Sequence, residues 1–205
     1  MTIIIFDFET NGLLNDKNFQ PIEFCAIIVK DNIIIKEIQH YIKCPFPLSD
    51  KIKELTKITD EQLETKGIDI DVLKIILVNL FIHEDYDLIV SHNGINFDIP
   101  IIENLINVSL EKSKQYDTAG EFKSKLLNLN IFENQTFYNF HKYVLSLKRK
   151  GIYFNLLKAI EYYEINLNNE SLHNAKTDVY YTFEVFKKQI NNIEKEFKKR
   201  FPLKN

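Results

Sequence analysis

The chain has 205 residues, 45% hydrophobic and 27% charged, and carries a formal net charge of −3. That is the composition of a globular protein able to bury a full core, and it excludes a uniformly basic surface, so any nucleic-acid contact must be local. No apolar run approaches the roughly 18 residues of a membrane-spanning helix, and Cys25 and Cys44 are too few and too unpatterned for a disulfide framework or a zinc site.

With no basic leader or cleavage signal at the start, the expected setting is intracellular, cytoplasmic (nuclear in a eukaryote), not secreted and not at a membrane. Residues 2–8 are β-branched and aromatic, apolar on both faces, and predict a central buried strand. Apolar runs at 22–30 and 33–42, separated by Asp31-Asn32, predict a two-residue hairpin, so the sheet begins as an antiparallel meander. Cys44-Pro45-Phe46-Pro47 ends it, and helical spacing follows at 49–55, from Thr59, and over 69–83. A strand returns at 87–91, then a turn at Asn93-Gly94 and a helix over about 98–108. Tyr116-Asp117-Thr118 reads as a short edge strand. Residues 119–150 are the least readable, helical pieces ending in a basic turn at Lys148-Arg149-Lys150-Gly151. Helices are expected over about 152–163 and 175–197. The order predicts an α/β fold, a mixed sheet covered by helices, as one domain over 1–205 with its core in about 1–187.

Three acidic elements interrupt this pattern. Asp7 and Glu9 are two apart on a strand, so both leave the same face while Phe6 and Phe8 leave the other. Ionised groups at the end of a buried strand are costly unless compensated, and a divalent cation compensates them; an exposed strand end would also accept the pair. Asp98 falls in the first turn of a helix after a polar turn, where it serves a helix dipole as readily as a metal. His173 follows a loop, Asn168-Asn169-Glu170-Ser171, and precedes Asp178 on the long helix. A histidine there is either a capping residue or a base beside a carboxylate-bound metal.

Phe6-Asp7-Phe8-Glu9-Thr10-Asn11-Gly12-Leu13, Ser91-His92-Asn93-Gly94-Ile95-Asn96-Phe97-Asp98 and His173-x4-Asp178 together resemble the three motifs of the DEDDh (DnaQ-like) 3′–5′ exonuclease family. The resemblance runs from Ile3 to about Phe186, and its second motif is most similar to the three-prime repair exonucleases, with proofreading exonucleases sharing most of it. It implies an RNase H-like, five-stranded mixed sheet. It also implies two divalent cations, Mg2+ with Mn2+ as substitute, about 3.5–4 Å apart on the scissile phosphate. Asp7, Glu9, Asp98 and Asp178 would be the ligands and His173 the general base that deprotonates water. His173 must be neutral to do so, and activity should fall on acidification.

The resemblance further implies that Thr10, Asn11 and Gly12 offer donors to the terminal 3′-hydroxyl and that Leu13 wedges between the last two bases. His92 and Asn93 are candidate phosphate or sugar contacts and Phe97 a candidate base contact, while Leu13 and Phe97 could equally be core. Lys148-Arg149-Lys150 could hold the strand; the C-terminal Lys195, Lys198, Lys199 and Arg200, interspersed with Glu194 and Glu196, read as a solvated helix face. The expected substrate is single-stranded or 3′-terminal nucleic acid, DNA favoured over RNA, with an exoribonuclease or a non-catalytic module as rivals. A polymerase partner in trans or a homodimer stays open.

Overall fold

The computed structural model describes residues 1–168 and 172–201. Its centre is a five-stranded sheet in the order β3-β2-β1-β4-β5. Strand β1 (Thr2–Thr10) pairs antiparallel with β2 (Pro21–Lys30), which pairs antiparallel with β3 (Ile33–Tyr41). On its other side β1 runs parallel to β4 (Leu88–Ser91), and β4 runs parallel to β5 (Gln115–Asp117), the short edge strand. The β2–β3 hairpin turns at Asp31 and Asn32, both with positive φ (52° and 65°), the backbone that a two-residue hairpin requires and that these residues tolerate.

Strand alternation divides the core in two. Ile4, Phe6, Phe8, Phe24, Ala26, Ile28 and Ile89 face a cluster covered by α3 (Ile70–Val78) and α4 (Asp98–Ile106). Ile3, Ile5, Cys25, Ile27, Val29, Leu88 and Val90 face α8 (Ala175–Asn192), through Ala175, Val179, Phe183 and Phe186. Asp7 and Glu9 continue the Ile3–Ile5 row, so they emerge at the end of β1 where α8 begins. The short helices α1 (Asp50–Thr56) and α2 (Asp60–Lys66) are both N-capped, by Ser49 and by a Thr59–Gln62 capping box.

Three expectations are corrected and one is filled in. The helix expected through His83 is α-helical only to Val78 and then widens into a π turn over Asn79–His83. Residues 119–150 resolve into α5 (Thr118–Leu126) and α6 (Phe137–Ser146). The helix expected from 152 is α7 (Leu156–Tyr162), because the Asn155 side chain accepts from Lys158 N–H at 3.0 Å and starts it there. The helix expected through 197 breaks at Ile193 (φ −122°), and α9 (Glu194–Arg200) turns so that Phe197 reaches Phe137 and Tyr116. No helix among the described residues is long and apolar enough to cross a membrane.

Candidate active site

Four carboxylates and a histidine gather where β1, α4 and α8 meet. Asp7 and Glu9 stand opposite Cys25 and Glu23 on β2. Asp98 is buried, and its Oδ1 accepts a hydrogen bond from Phe8 N–H at 3.1 Å, which locks the start of α4 against β1. Gly94 makes that approach possible: a Cβ there would collide with the Ser91 hydroxyl and stand 3.2 Å from Asp98 Oδ2. From α8, Asp178 accepts the His173 N–H at 3.3 Å on each carboxylate oxygen. His173 is exposed, has φ 70°, and its imidazole makes no hydrogen bond among the described residues. The preceding Asn169-Glu170-Ser171 lies outside the described residues.

Glu9, His173 and Asp178 offer ligand atoms all within 4.8 Å of one another. Among the described residues, none of the four acids has a lysine or arginine ion-pair partner. Electrostatics reports the consequence. Burial, then the charges of Asp98, Asp178, Glu9 and Glu23, drive the Asp7 carboxyl well above its ordinary value. Burial and the neighbouring acids push Glu9 up to about 8. Burial raises Asp98 to about 7 against the opposing Phe8 N–H, and raises Asp178 to about 7 against the His173 N–H. An all-carboxylate set that cannot ionise together without a counter-ion fits hard divalent cations.

Glu23 was not counted among the candidate site residues, although it is an acid within an otherwise apolar strand, which is the signal. It is fully buried, takes Gln39 Nε2 at 2.8 Å on one oxygen and Ala175 N–H at 3.1 Å on the other, and so clamps the first turn of α8. Asp117 was read as part of a short edge strand and not as a site residue. It accepts N–H bonds from Asn93 and Gly120 at 3.0 Å and Ile95 at 3.1 Å, holding the second motif and capping α5 at once. The cleft itself, about 380 Å³, is walled by Ile152, Tyr153 and Phe154 together with Asp7, Asn93, His173 and Asp178.

The expected substrate contacts divide. Leu13 projects into solvent, 71% exposed. The Thr10 hydroxyl donates to Gly12 O at 2.8 Å, and Asn11 clasps its own loop through Asn18 O (2.8 Å) and Gln20 N–H (2.7 Å), so both side chains hold the loop over Gly12. Asn93 sits in the turn with φ 64°, its amide oxygen accepting from Asn96 at 3.1 Å. Phe97 packs partly into the core, edge-on to Phe19 at 6.3 Å. His92 departs most: Nδ1 bonds Thr118 Oγ1 at 2.9 Å and Nε2 bonds Phe154 O at 3.0 Å. Neither ring nitrogen is left for a phosphate or sugar, and burial lowers its pKa.

A mixed sheet with acids converging from a central strand and two flanking helices is an RNase H-like fold. A family model described as exonuclease (RNase_T) matches residues 4–186, and the chain belongs to that family as a DEDDh-type exonuclease. The PolC-type DNA polymerase III of Ureaplasma parvum is 32% identical over 201 residues, covering 96% of this chain; the chain spans about 12% of that polymerase. E. coli exonuclease I in complex with a dT13 oligonucleotide superposes with TM-score 0.69 at 18% identity, covering 96% of this chain and 42% of that one. A 3′-exonuclease recognising a histone mRNA stem-loop superposes with TM-score 0.63 at 14% identity, covering 93% and 64%. At those identities the two structures speak for the fold.

Proposed function

We propose that the chain removes nucleotides from the 3′ end of DNA, from single strands or frayed termini, releasing nucleoside 5′-monophosphates. The observation that carries the reading is the set Asp7, Glu9, Asp98 and Asp178, converging beside His173 with no lysine or arginine ion-pair partner among the described residues. The DNA polymerase relative at 32% identity favours DNA over RNA. The four acids would hold two divalent cations, magnesium with manganese as substitute, which when bound stabilise the attacking and leaving oxygens. Glu9 and Asp178 would form one site with Asp7 shared, and Asp98 would support the other.

The exposed imidazole of His173, anchored through its backbone to Asp178, takes the proton of the attacking water. The water oxygen bonds to phosphorus, the bond to the upstream 3′-oxygen breaks, and that oxygen takes a proton from solvent water as it leaves while His173 returns its own to solvent. Gly12 N–H would receive the terminal 3′-hydroxyl and Leu13 would wedge against the last base.

Matched 5′-labelled DNA and RNA oligonucleotides, digested side by side with magnesium or manganese, test this. DNA should shorten stepwise from its 3′ end and faster than RNA. Faster RNA digestion would make the chain an exoribonuclease, and an Asp7→Ala protein as fast as wild type would sink the assignment of the site.

A further inference from the structure

Between α6 and α7 the chain crosses the wall of the cleft without regular structure, yet it is tied down on both sides. Lys123 Nζ donates to Leu145 O at 3.0 Å and Leu147 O at 2.7 Å, and lies over the Phe154 ring at 4.4 Å. The Phe154 carbonyl is in turn held by His92. Between these anchors Lys148, Arg149 and Lys150 are exposed, and none of their side chains has an ion pair or hydrogen bond among the described residues. The C-terminal cations differ: Lys198, Lys199 and Arg200 pair with Glu194, Glu133 and Glu196.

Tyr153 follows, 71% exposed. It lines the cleft of Asp7, His173 and Asp178 on one side and, on the other, a second cavity of about 580 Å³ bordered by Phe122, Lys158 and Tyr162. It is therefore a ridge between the reacting end and an aromatic groove. A large ring held on a pinned segment loses little conformational freedom on contact, and a nucleobase offers it a face to cover.

We propose that segment 148–153 is the grip for the strand upstream of the scissile bond, with Tyr153 stacking on a nucleobase and Lys148, Arg149 and Lys150 meeting phosphates. The strand then runs from the acids over the Tyr153 ridge toward the Phe122–Tyr162 groove. The acidic floor repels a polyanion, and this exposed triplet supplies a local field of opposite sign. The proposal rests on the exonuclease reading above and adds a subsite to it.

Two substrates separate the subsite from the chemistry: a single-stranded oligonucleotide, and the p-nitrophenyl ester of thymidine 5′-monophosphate, which has no upstream nucleotide. Tyr153→Ala should lower the oligonucleotide-to-ester ratio of kcat/KM about tenfold, or ~1.4 kcal/mol, and Tyr153→Phe should restore it. In the Asp7→Asn background, where turnover is silenced, fluorescence anisotropy should show the labelled oligonucleotide binding about tenfold more weakly once Tyr153→Ala is added. Replacing Lys148, Arg149 and Lys150 by alanine should reduce the slope of log Kd against log salt by about 2, at about 0.7 per phosphate contact on a single strand. An unchanged ratio and unchanged anisotropy with Tyr153→Ala, or Phe no better than Ala, would overturn the proposal. Failure of wild type to hydrolyse either substrate would instead refute the exonuclease reading, while the anisotropy arm would still decide the grip.

Discussion

Two clusters of buried charge lie at neighbouring ends of the sheet, and the protein treats them oppositely. Beneath α5 and α6 every charge is answered from within. Asp117 takes three backbone N–H groups, the Glu121 carboxylate meets His141 at 3.3 Å and Lys125 at 3.1 Å, and Lys123 meets two carbonyls. Burial alone would raise Glu121, but His141 and Lys125 outweigh it and the carboxyl lies below its ordinary range. At the end of β1 the four acids have mostly one another, and their carboxyls are pushed upward. Compensated buried charge is architecture; charge left uncompensated marks the place where a ligand completes the structure.

The largest effect that separates the clusters should come from Asp7→Asn, which keeps shape and removes one repelling charge. Activity on an oligonucleotide should fall by about a thousandfold, or ~4 kcal/mol of transition-state stabilisation, while the metal-free melting temperature at pH 9 rises. A melting temperature that falls with the activity would place Asp7 in the compensated class. Next, Asp117→Ala should strand three buried N–H groups and cost about 3 kcal/mol, lowering the melting temperature by about 6–12 °C at 2–4 °C per kcal/mol. A melting temperature within a degree or two of wild type would show that its bonds are replaceable.

A further effect is in pH. The folded acids hold protons that the unfolded chain has already released, so metal-free stability is greatest below their ordinary values and is lost as pH rises through about 7 to 8. Glu121, displaced the other way, contributes above its ordinary value and loses that contribution on acidification. Melting scans with a chelator from pH 5 to pH 9 should therefore slope downward, and magnesium should flatten the slope by replacing the protons. A rising curve in chelator would erase the distinction between the two clusters.

The gathering of the acids was legible because three motifs resemble those of one family, and the elements that carry them are readable. Asp7 and Glu9 share a face by strand alternation, Asp98 follows an obvious strand and turn, and Asp178 lies on a long helix whose Ala175, Val179 and Phe183 face the sheet. The compensated cluster was not legible. Residues Thr118 to Ser124 of α5 are all buried and include Gly120, Glu121, Lys123 and Ser124, so no apolar stripe marks the helix. Gly120 is there because His141 Cβ packs where its own Cβ would be, a requirement set by a residue on another helix.

The sequence by itself marked the strands of the sheet and, through the resemblance of its three motifs, pointed to the family and to five candidate residues, since periodicity and motif spacing are properties of neighbouring residues along the chain. Only the tertiary structure decided what each polar residue is bonded to. It turned His92 from a substrate contact into a strut to Phe154, made Glu23 the clamp of α8, and left the side chains of Lys148, Arg149 and Lys150 without an ion pair among the described residues. Those roles depend on partners 20 to 152 positions away in the chain, as with Glu121 and His141 or Glu23 and Ala175, and such distances leave no local pattern to read.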